Sequence, residues 1–265
     1  MNIVVCIKQV PDSAATLKVE EPSNVSWGDA LLIINPWDEY AIEEAIRLKE
    51  KFGGKVTVLT VGTEQSKEAL KQAVAMGCDE AHLISDPAFV GSDALAMTYI
   101  LAQAIKQLGE VDLVAFGKQA IDSDTGLVPA GVARRLGWPL LSYIAKIDEI
   151  DPAGKSLKVT RLLEQGRQSV SSKLPVVITA VKEINEPRYP SFMNIRKAGK
   201  LQIPVLDAAA IGADVSKLGA TQAATQWLKV FPPPARTGTV EMISGDSPQA
   251  IAVTLADKLL AEKVI

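Results

Sequence analysis

The sequence predicts an α/β fold built on a doubly wound, mostly parallel sheet, to which β-hairpins and an extended C-terminal arm are added. Three observations predict this class. Runs of β-branched residues alternate with amphipathic helical segments up to about residue 140, which is typical of a parallel sheet covered by helices on both faces. Short β-like runs joined by turns follow. From about Gln202 the chain is irregular until one last helical segment.

The predicted core strands are short and apolar, as expected of strands that are buried on both faces. They cover residues 3–7, 55–61, 81–84 and 111–116. The helices between them carry apolar residues on one side, and the first three end at glycines. They are predicted over residues 39–51 and 64–76, from the N-cap Ser92-Asp93 to Leu108, and from about 126–130 onward.

The pattern beyond Leu140 predicts hairpins appended to the core, followed by the arm. The β-like runs cover residues 142–150, 156–163, 168–172 and 176–181. The segment 202–265 contains scattered prolines and glycines and closes with a helix over 247–262, which begins at Ser247-Pro248. Two placements of this arm stay open, over a partner surface or on its own domain.

Composition and charge exclude several classes of protein. The 265 residues include 28 Lys and Arg against 31 Asp and Glu, a net charge of −3, so no excess of cations is available to neutralise a nucleic-acid backbone. The two cysteines, Cys6 and Cys78, do not make a disulfide scaffold, and we interpret both as small core residues. The single histidine, His82, gives little support to a histidine-based zinc site or a Ser-His-Asp triad.

No targeting or membrane-spanning segment is predicted. The N-terminal apolar run ends at Lys8 and lacks the basic start of a signal peptide. No stretch approaches the roughly 18–20 apolar residues of a transmembrane helix. We therefore expect a cytoplasmic protein.

Polar loops occupy the strand ends, where a doubly wound sheet binds its ligands. They are residues 8–12, 35–39, 61–63 and 117–126. In the last loop, backbone N–H groups and the hydroxyls of Ser123 and Thr125 suit a phosphate. A well-capped loop with Asp124 or Thr125 as helix N-cap is an equal alternative. Neither a Walker-type Gly-Lys-Ser/Thr nor a Gly-x-Gly-x-x-Gly is present, which disfavours a hydrolytic NTPase and a Rossmann dehydrogenase.

Asn35 is a second candidate for ligand binding. Its amide can pair with a base edge or a ribose, although a turn residue before Pro36 is the simpler interpretation. No nucleophile–base pair, carboxylate dyad or cluster of metal ligands stands out. The sequence therefore predicts no catalytic residue and no metal site.

The segment 183–200 has the composition of a docking loop for another protein. Two prolines bracket Arg188 and Tyr189, and apolar residues are followed directly by cations, a combination that is enriched in protein interfaces. A surface segment folded back on its own domain is the alternative. The predicted docking residues are Pro187, Arg188, Tyr189, Phe192, Met193, Ile195, Arg196 and Lys197.

Five segments, taken in their order and spacing, resemble the β subunits of electron transfer flavoproteins. They are VCIKQVPD (5–12), NPWDEYA (35–41), AMGCD (75–79), GKQAID (117–122) and NEPRY (185–189). The resemblance spans nearly the whole chain. It implies a fold like that of the adenine nucleotide alpha hydrolases, with a nucleotide-binding domain at 1–201 and a C-terminal arm at 202–265 that contacts an α subunit.

The resemblance also implies two cofactors. The α subunit of the heterodimer holds most of an FAD, and this subunit holds AMP or, in electron-bifurcating members, a second FAD. The run 122–125 is closer to the bifurcating pattern, and 126–128 lack the polar residues of AMP-type members, so both stay open. The residues implied to bind the cofactor are Cys6, Ile7, Lys8, Asn35, Asp38, Val61, Gly62, Thr63, Gln119, Asp122, Ser123, Asp124, Thr125, Gly126, Leu127 and Val128.

The function implied by the resemblance is electron transfer. Electrons would pass from dehydrogenases, acyl-CoA dehydrogenases of fatty acid β-oxidation first among them, through FAD to a quinone- or ferredoxin-linked acceptor. Phe192 stands where the family often has a leucine that enters a pocket of the dehydrogenase, and Leu162-Leu163 precede Glu164 where the family often begins with an acidic residue. The rival function is a stand-alone ATP-binding homodimer similar to universal stress proteins. Neither nucleic-acid binding nor membrane insertion is implied.

Overall fold

The computed structural model describes residues 1–20, 24–235 and 237–265. The strands within these ranges are β1 (Asn2–Cys6), β2 (Gln9–Pro11), β3 (Lys18–Glu20), β4 (Asn24–Ser26), β5 (Leu32–Ile34), β6 (Lys55–Val61), β7 (Glu80–Ile84), β8 (Leu113–Gly117), β9 (Leu140–Asp151), β10 (Ser156–Leu163), β11 (Gly166–Lys173), β12 (Val176–Ala180) and β13 (Val205–Leu206). The α-helices within them are α1 (Pro36–Phe52), α2 (Lys67–Met76), α3 (Ala94–Gln107), α4 (Val128–Leu136), α5 (Phe192–Gly199) and α6 (Pro248–Ala261).

One large sheet organises the described part of the chain. Its order is β11-β10-β9-β12-β8-β1-β6-β7-β13, and the neighbours from β9 through β13 are parallel. Helices cover both faces, which confirms the predicted α/β class. Two small antiparallel pairs, β2 with β5 and β3 with β4, were not predicted.

The central strand β1 separates two apolar clusters. Ile3 and Val5 pack in the cluster that contains α1 and α2, whereas Val4 and Cys6 pack in the cluster that contains α3 and α4. This alternation follows from the period of two in a β-strand. Both faces are closed to water, as predicted. Because β1 is parallel to its neighbours β6 and β8, the carboxyl ends of the three strands lie at one edge of the sheet.

The strand β12 is a central parallel strand, and its prediction as part of an appended hairpin is wrong. It lies between β8 and β9, parallel to both, and all five of its residues are buried. Its sequence, VVITA, has the continuous apolar character of a doubly covered strand. The antiparallel hairpins are limited to β9, β10 and β11, which extend one edge of the sheet.

Helix caps follow the sequence prediction at two of three positions. Asp93 accepts the Ala96 N–H at 2.9 Å and caps α3, and Ser247 accepts the Ala250 N–H at 3.2 Å and caps α6. The N-cap of α4, however, is Leu127, without a side-chain hydrogen bond. The predicted capping of this helix by Asp124 or Thr125 is therefore wrong.

The C-terminal segment has two parts with different packing. Residues 202–225 lie on the body, where Ile203, Ile211 and Leu218 are buried and β13 pairs with β7. Residues 226–265, which we name the distal arm, contain no buried residue within their described part. Their helix α6 carries exposed Val253, Leu255 and Leu260, so the distal arm presents apolar surface that the rest of this chain does not cover.

Candidate functional site

A cavity of about 510 Å³ lies at the carboxyl ends of β1 and β8, and we name it the strand-end cavity. Its size is within the usual range for small-molecule sites. Eleven of the sixteen predicted cofactor residues line it. They are Cys6, Ile7, Lys8, Asn35, Asp38, Val61, Gln119, Ser123, Thr125, Gly126 and Val128. The five predicted residues outside the lining set are Gly62, Thr63, Asp122, Asp124 and Leu127.

Asp38 connects two strands at the base of the cavity. Its carboxylate accepts the Lys8 N–H at 2.8 Å and the Gly117 N–H at 3.0 Å, so the first turn of α1 holds the ends of β1 and β8 together. Burial raises the pKa of Asp38 to about 7, although the backbone hydrogen bonds from Lys8 and Gly117 oppose the shift. Glycine is needed at 117 because a Cβ there would lie 2.5 Å from the Trp37 carbonyl carbon.

Asn35 uses its amide group to hold the loop 117–126. Its Nδ2 donates to the Gln119 carbonyl at 2.8 Å, and its Oδ1 accepts the Ile121 N–H at 3.1 Å. The side chain is buried at the cavity wall. Its position between α1 and this loop explains why an asparagine, with both a donor and an acceptor, suits this point of the chain.

The polar run 122–125 is divided between two sides of its loop. Ser123 and Thr125 line the strand-end cavity, whereas Asp122 lines a different cavity and pairs with the Lys8 Nζ at 2.7 Å. Asp124, at φ 49°, accepts the Gln119 Nε2 at 2.7 Å. Lys8 is the one Lys or Arg among the described residues that line the strand-end cavity. Its ammonium group is already paired with Asp122.

An apolar part of the strand-end cavity wall comes from residues that were not predicted to line a site. Met97, Leu101 and Phe116 make it apolar, and Thr225 and Trp227 reach it from the C-terminal segment. Asp93 connects these parts. Its Oδ1 caps α3, and its Oδ2 accepts the N–H groups of Ala224 and Thr225 at 2.9 and 3.1 Å. The cap at Asp93 was the one local signal of this wall in the sequence.

A second cavity of about 640 Å³, which we name the aromatic cavity, lies on the other side of the loop 117–126. Trp27, Trp37 and Tyr40 contribute aromatic rings to it. The Lys118 Nζ lies 4.3 Å from the centroid of the Trp37 ring, a cation–π distance. This cavity was not predicted from the sequence, because it brings the segment around Trp27 next to the start of α1.

The predicted docking loop contains a short helix and a row of exposed apolar side chains. Ser191 caps α5 by accepting the Asn194 N–H at 3.2 Å. Tyr189, Phe192 and Met193 are each more than 80 % exposed, and Ile195 is 52 % exposed. Arg196 and Lys197 are exposed beside them. Large apolar side chains grouped with cations at a surface are typical of interaction sites.

Within the described residues, no group of three or more His, Cys, Asp or Glu side chains is placed to hold a metal ion. No helix within those ranges is both long enough and apolar enough to cross a bilayer. Burial raises the pKa of the Cys6 thiol, so this cavity-lining cysteine is held as a neutral thiol.

The sheet, the strand-end cavity and the exposed residues 189–197 define an α/β protein with a cavity of small-molecule size and a separate exposed apolar surface. The electron transfer flavoprotein domain family matches residues 29–211. An electron transfer flavoprotein subunit beta from Megasphaera elsdenii is 40 % identical over the full length of both chains. Protein FixA from Azotobacter vinelandii is 41 % identical over 99 % of this chain and 95 % of its own.

A third relative is the caffeyl-CoA reductase-Etf complex subunit CarD of Acetobacterium woodii, which is 38 % identical over the full length of both chains. The chain therefore belongs to the electron transfer flavoprotein family, among its β subunits and FixA-like proteins. The predicted resemblance is confirmed, and with it a role in electron transfer.

Proposed function

We propose that the chain is the β subunit of a heterodimeric electron transfer flavoprotein and binds an adenine nucleotide in the strand-end cavity. Its α partner holds most of the FAD through which the electrons pass. The observation that carries the nucleotide part is the position of the cavity at the carboxyl ends of β1 and β8, where open α/β sheets bind ligands. The flavin supplies the redox chemistry. This chain binds the nucleotide and helps to orient and shield the flavin.

The polar wall of the cavity fits a phosphate. Gln119, Ser123 and Thr125 offer an amide and two hydroxyls, and the first turn of α4 begins at Val128 on the same wall. N–H groups in the first turn of a helix have no partner within the helix and favour an anion. Because Lys8 is paired with Asp122, backbone and hydroxyl dipoles meet most of the phosphate charge.

The apolar wall supports either of the two nucleotides considered. Met97, Leu101 and Trp227 offer surface for a planar ring, and such a wall accepts an adenine and an isoalloxazine equally. AMP is the first proposal, and a second FAD, as in electron-bifurcating complexes, is the alternative. Release of the bound nucleotide distinguishes them.

The aromatic cavity is the proposed contact with the flavin held by the α partner. Trp27, Trp37 and Tyr40 present ring surfaces there, and aromatic rings pack well against a planar cofactor. The loop 117–126 separates this cavity from the strand-end cavity. The two cofactors would thus lie on either side of one loop whose position Asn35 holds.

The exposed residues 189–197 are the proposed contact with an electron-donating dehydrogenase. The partner surface that fits them has an apolar pocket with an acidic rim, since large apolar side chains stand beside Arg196 and Lys197. Acyl-CoA dehydrogenases are the proposed donors, and a quinone- or ferredoxin-linked oxidoreductase is the proposed acceptor.

Phe192→Ala tests the docking part of this proposal. We expect the rate of flavin reduction by an acyl-CoA dehydrogenase at a limiting concentration to fall about tenfold or more, because removal of an exposed anchor removes contact surface. Nucleotide content stays unchanged. The matched control is Phe231→Ala in the distal arm, another exposed phenylalanine, which should leave this rate per assembled complex unchanged. Equal rates in wild type and Phe192→Ala would remove the docking role.

Co-purification distinguishes the proposed electron carrier from the rival function of a stand-alone nucleotide-binding protein. A yellow complex of this chain with a flavin-bearing second chain supports the electron carrier. A flavin-free homodimer that binds ATP supports the stand-alone nucleotide-binding protein.

A further inference from the structure

The docking segment, residues 185–200, is fastened to α1 at its first residues. Asn185 Nδ2 donates to the Tyr40 carbonyl at 3.0 Å and to the Glu44 Oε2 at 3.1 Å. Three residues later, Arg188 reaches two further glutamates of the same helix, Glu43 and Glu50. The contacts therefore extend from Tyr40 to Glu50, along about three turns of α1.

Arg188 makes an unusually complete set of hydrogen bonds. Its Nε and Nη2 donate to the two carboxylate oxygens of Glu43 at 2.8 and 3.1 Å, and its Nη1 and Nη2 donate to those of Glu50 at 2.6 and 3.1 Å. Its backbone N–H also donates to Glu43 at 3.2 Å. Two bidentate pairs fix the plane of the guanidinium group, and through it the direction in which the chain leaves α1.

The two glutamates differ in their environment. The Glu43 side chain is 6 % exposed, whereas the Glu50 side chain is 54 % exposed. A charge that is nearly buried depends on its partner, whereas a solvent-exposed pair contributes little. The contact to Glu43 is therefore the main one, and the contact to Glu50 is accessory.

The other end of the docking segment is also held. Ala198 is buried in the apolar cluster that contains α1 and α2, and Ile203 follows it into the same cluster. The apolar side chains from Tyr189 to Ile195 stand exposed between these two fixed points. We infer that Arg188 is a positioning residue, which sets the place and direction of the exposed docking side chains through its paired contacts with Glu43 and Glu50.

This inference rests on the proposed docking function. It adds that Arg188 acts from the side of α1 and without touching the partner protein. Lysine at this position keeps the positive charge but provides a single ammonium in place of the planar fork. In Arg188→Lys, the exposed side chains from Tyr189 to Ile195 would still be present, but their direction would no longer be fixed.

The test compares Arg188→Lys with wild type in the assembled complex. We expect the KM for an acyl-CoA dehydrogenase to rise about tenfold with kcat little changed, since a mobile segment weakens association more than transfer. Reduction by dithionite, which needs no docking, stays at the wild-type rate. Amide hydrogen exchange over residues 189–197 becomes faster. Arg167→Lys, an exposed arginine on β11, is the control and should change none of these quantities.

Two further variants keep the test decisive. Glu43→Gln should raise the KM more than Glu50→Gln, in keeping with their burial. If Arg188→Lys does not yield folded complex, Glu43→Gln carries the test through its rise in KM and its faster exchange over 189–197, and Glu50→Gln shows a smaller change of the same kind. An unchanged KM and unchanged exchange in whichever of these variants fold overturn the inference.

A double variant separates this inference from the proposed function. In the Phe192→Ala background, Arg188→Lys should add nothing further to the KM, because both changes act through the same contact. If Phe192→Ala alone has no effect, the docking function itself is wrong. If Phe192→Ala raises the KM but Arg188→Lys does not, docking stands and the positioning role fails.

Discussion

The body of the protein and its distal arm contain similar apolar residues, but they use them in opposite ways. Leu59 in β6 is completely buried, whereas Leu228 at the start of the distal arm is 88 % exposed. In the body, apolar residues close both faces of the sheet. In the distal arm they face outward, together with Trp227 and Phe231. The body therefore has its own core, whereas the arm leaves apolar side chains that the rest of this chain does not cover.

The boundary between the two regions lies at the strand-end cavity. The last hydrogen bonds between the C-terminal segment and the body within the described residues join Thr225 to Asp93, and Trp227 lines the same cavity. The strand-end cavity is therefore built almost entirely by the body, with Trp227 as the one described residue of the distal arm that lines it.

The largest effect is expected from removal of the distal arm, residues 226–265. Association with the α partner should weaken by at least about a hundredfold, because the exposed apolar surface of the arm is lost. The melting temperature of the truncated chain should differ from that of the full-length chain by only a few degrees, since no described residue of the arm is buried. Sedimentation and thermal unfolding measure the two quantities. Wild-type affinity in the truncated chain would show that the arm does not serve assembly.

A pair of leucine substitutions sharpens the comparison within one residue type. Leu59→Ala should lower the free energy of unfolding of the body by about 2–5 kcal/mol through loss of burial and creation of a cavity. Leu228→Ala should change it by less than about 0.5 kcal/mol. Urea unfolding of both variants provides the measurement. Similar losses would mean that the arm belongs to the folded body.

A smaller effect is expected from the pH dependence of Asp38. Its pKa is about 7 in the folded protein and about 3.9 when unfolded, so between these values the folded state holds a proton that the unfolded state has lost. This contribution to stability is fully present below about pH 4 and is lost as the pH rises to about 7.

The corresponding measurement compares wild type with Asp38→Asn by urea unfolding at about pH 5 and pH 7. Wild type should lose about 1–3 kcal/mol relative to the variant over this interval. A constant difference between the two proteins would show that Asp38 titrates normally and is not desolvated at the base of the cavity.

Local signals predicted much of the body. The β-branched run of β1, the cap at Asp93 and the glycine ends of the first helices are properties of short segments, so they could be identified from the sequence. The strand β12 was misplaced because its neighbours in the sheet are decided by pairing with distant segments. Its apolar run predicts a buried strand but does not identify the strands that pair with it.

The site was predicted in residue type but not in contacts. Asn35 was singled out as a ligand-binding candidate, whereas in the structure its amide holds the loop 117–126, whose bonded residues are more than eighty positions away. The run 122–125 was treated as one polar unit, but a turn at Asp124 directs its side chains to different sides of the loop. The helix α5 was missed because the segment 183–200 was interpreted as a loop from its prolines and its composition.

The most direct test is the nucleotide content of the native complex of this chain with its α partner. Heat or acid release followed by chromatography should yield one adenine nucleotide in addition to the FAD of the partner: AMP for simple transfer, or a second FAD for a bifurcating complex. Release of one FAD per heterodimer, with no further nucleotide even after gentle preparation, would contradict the assignment of the strand-end cavity.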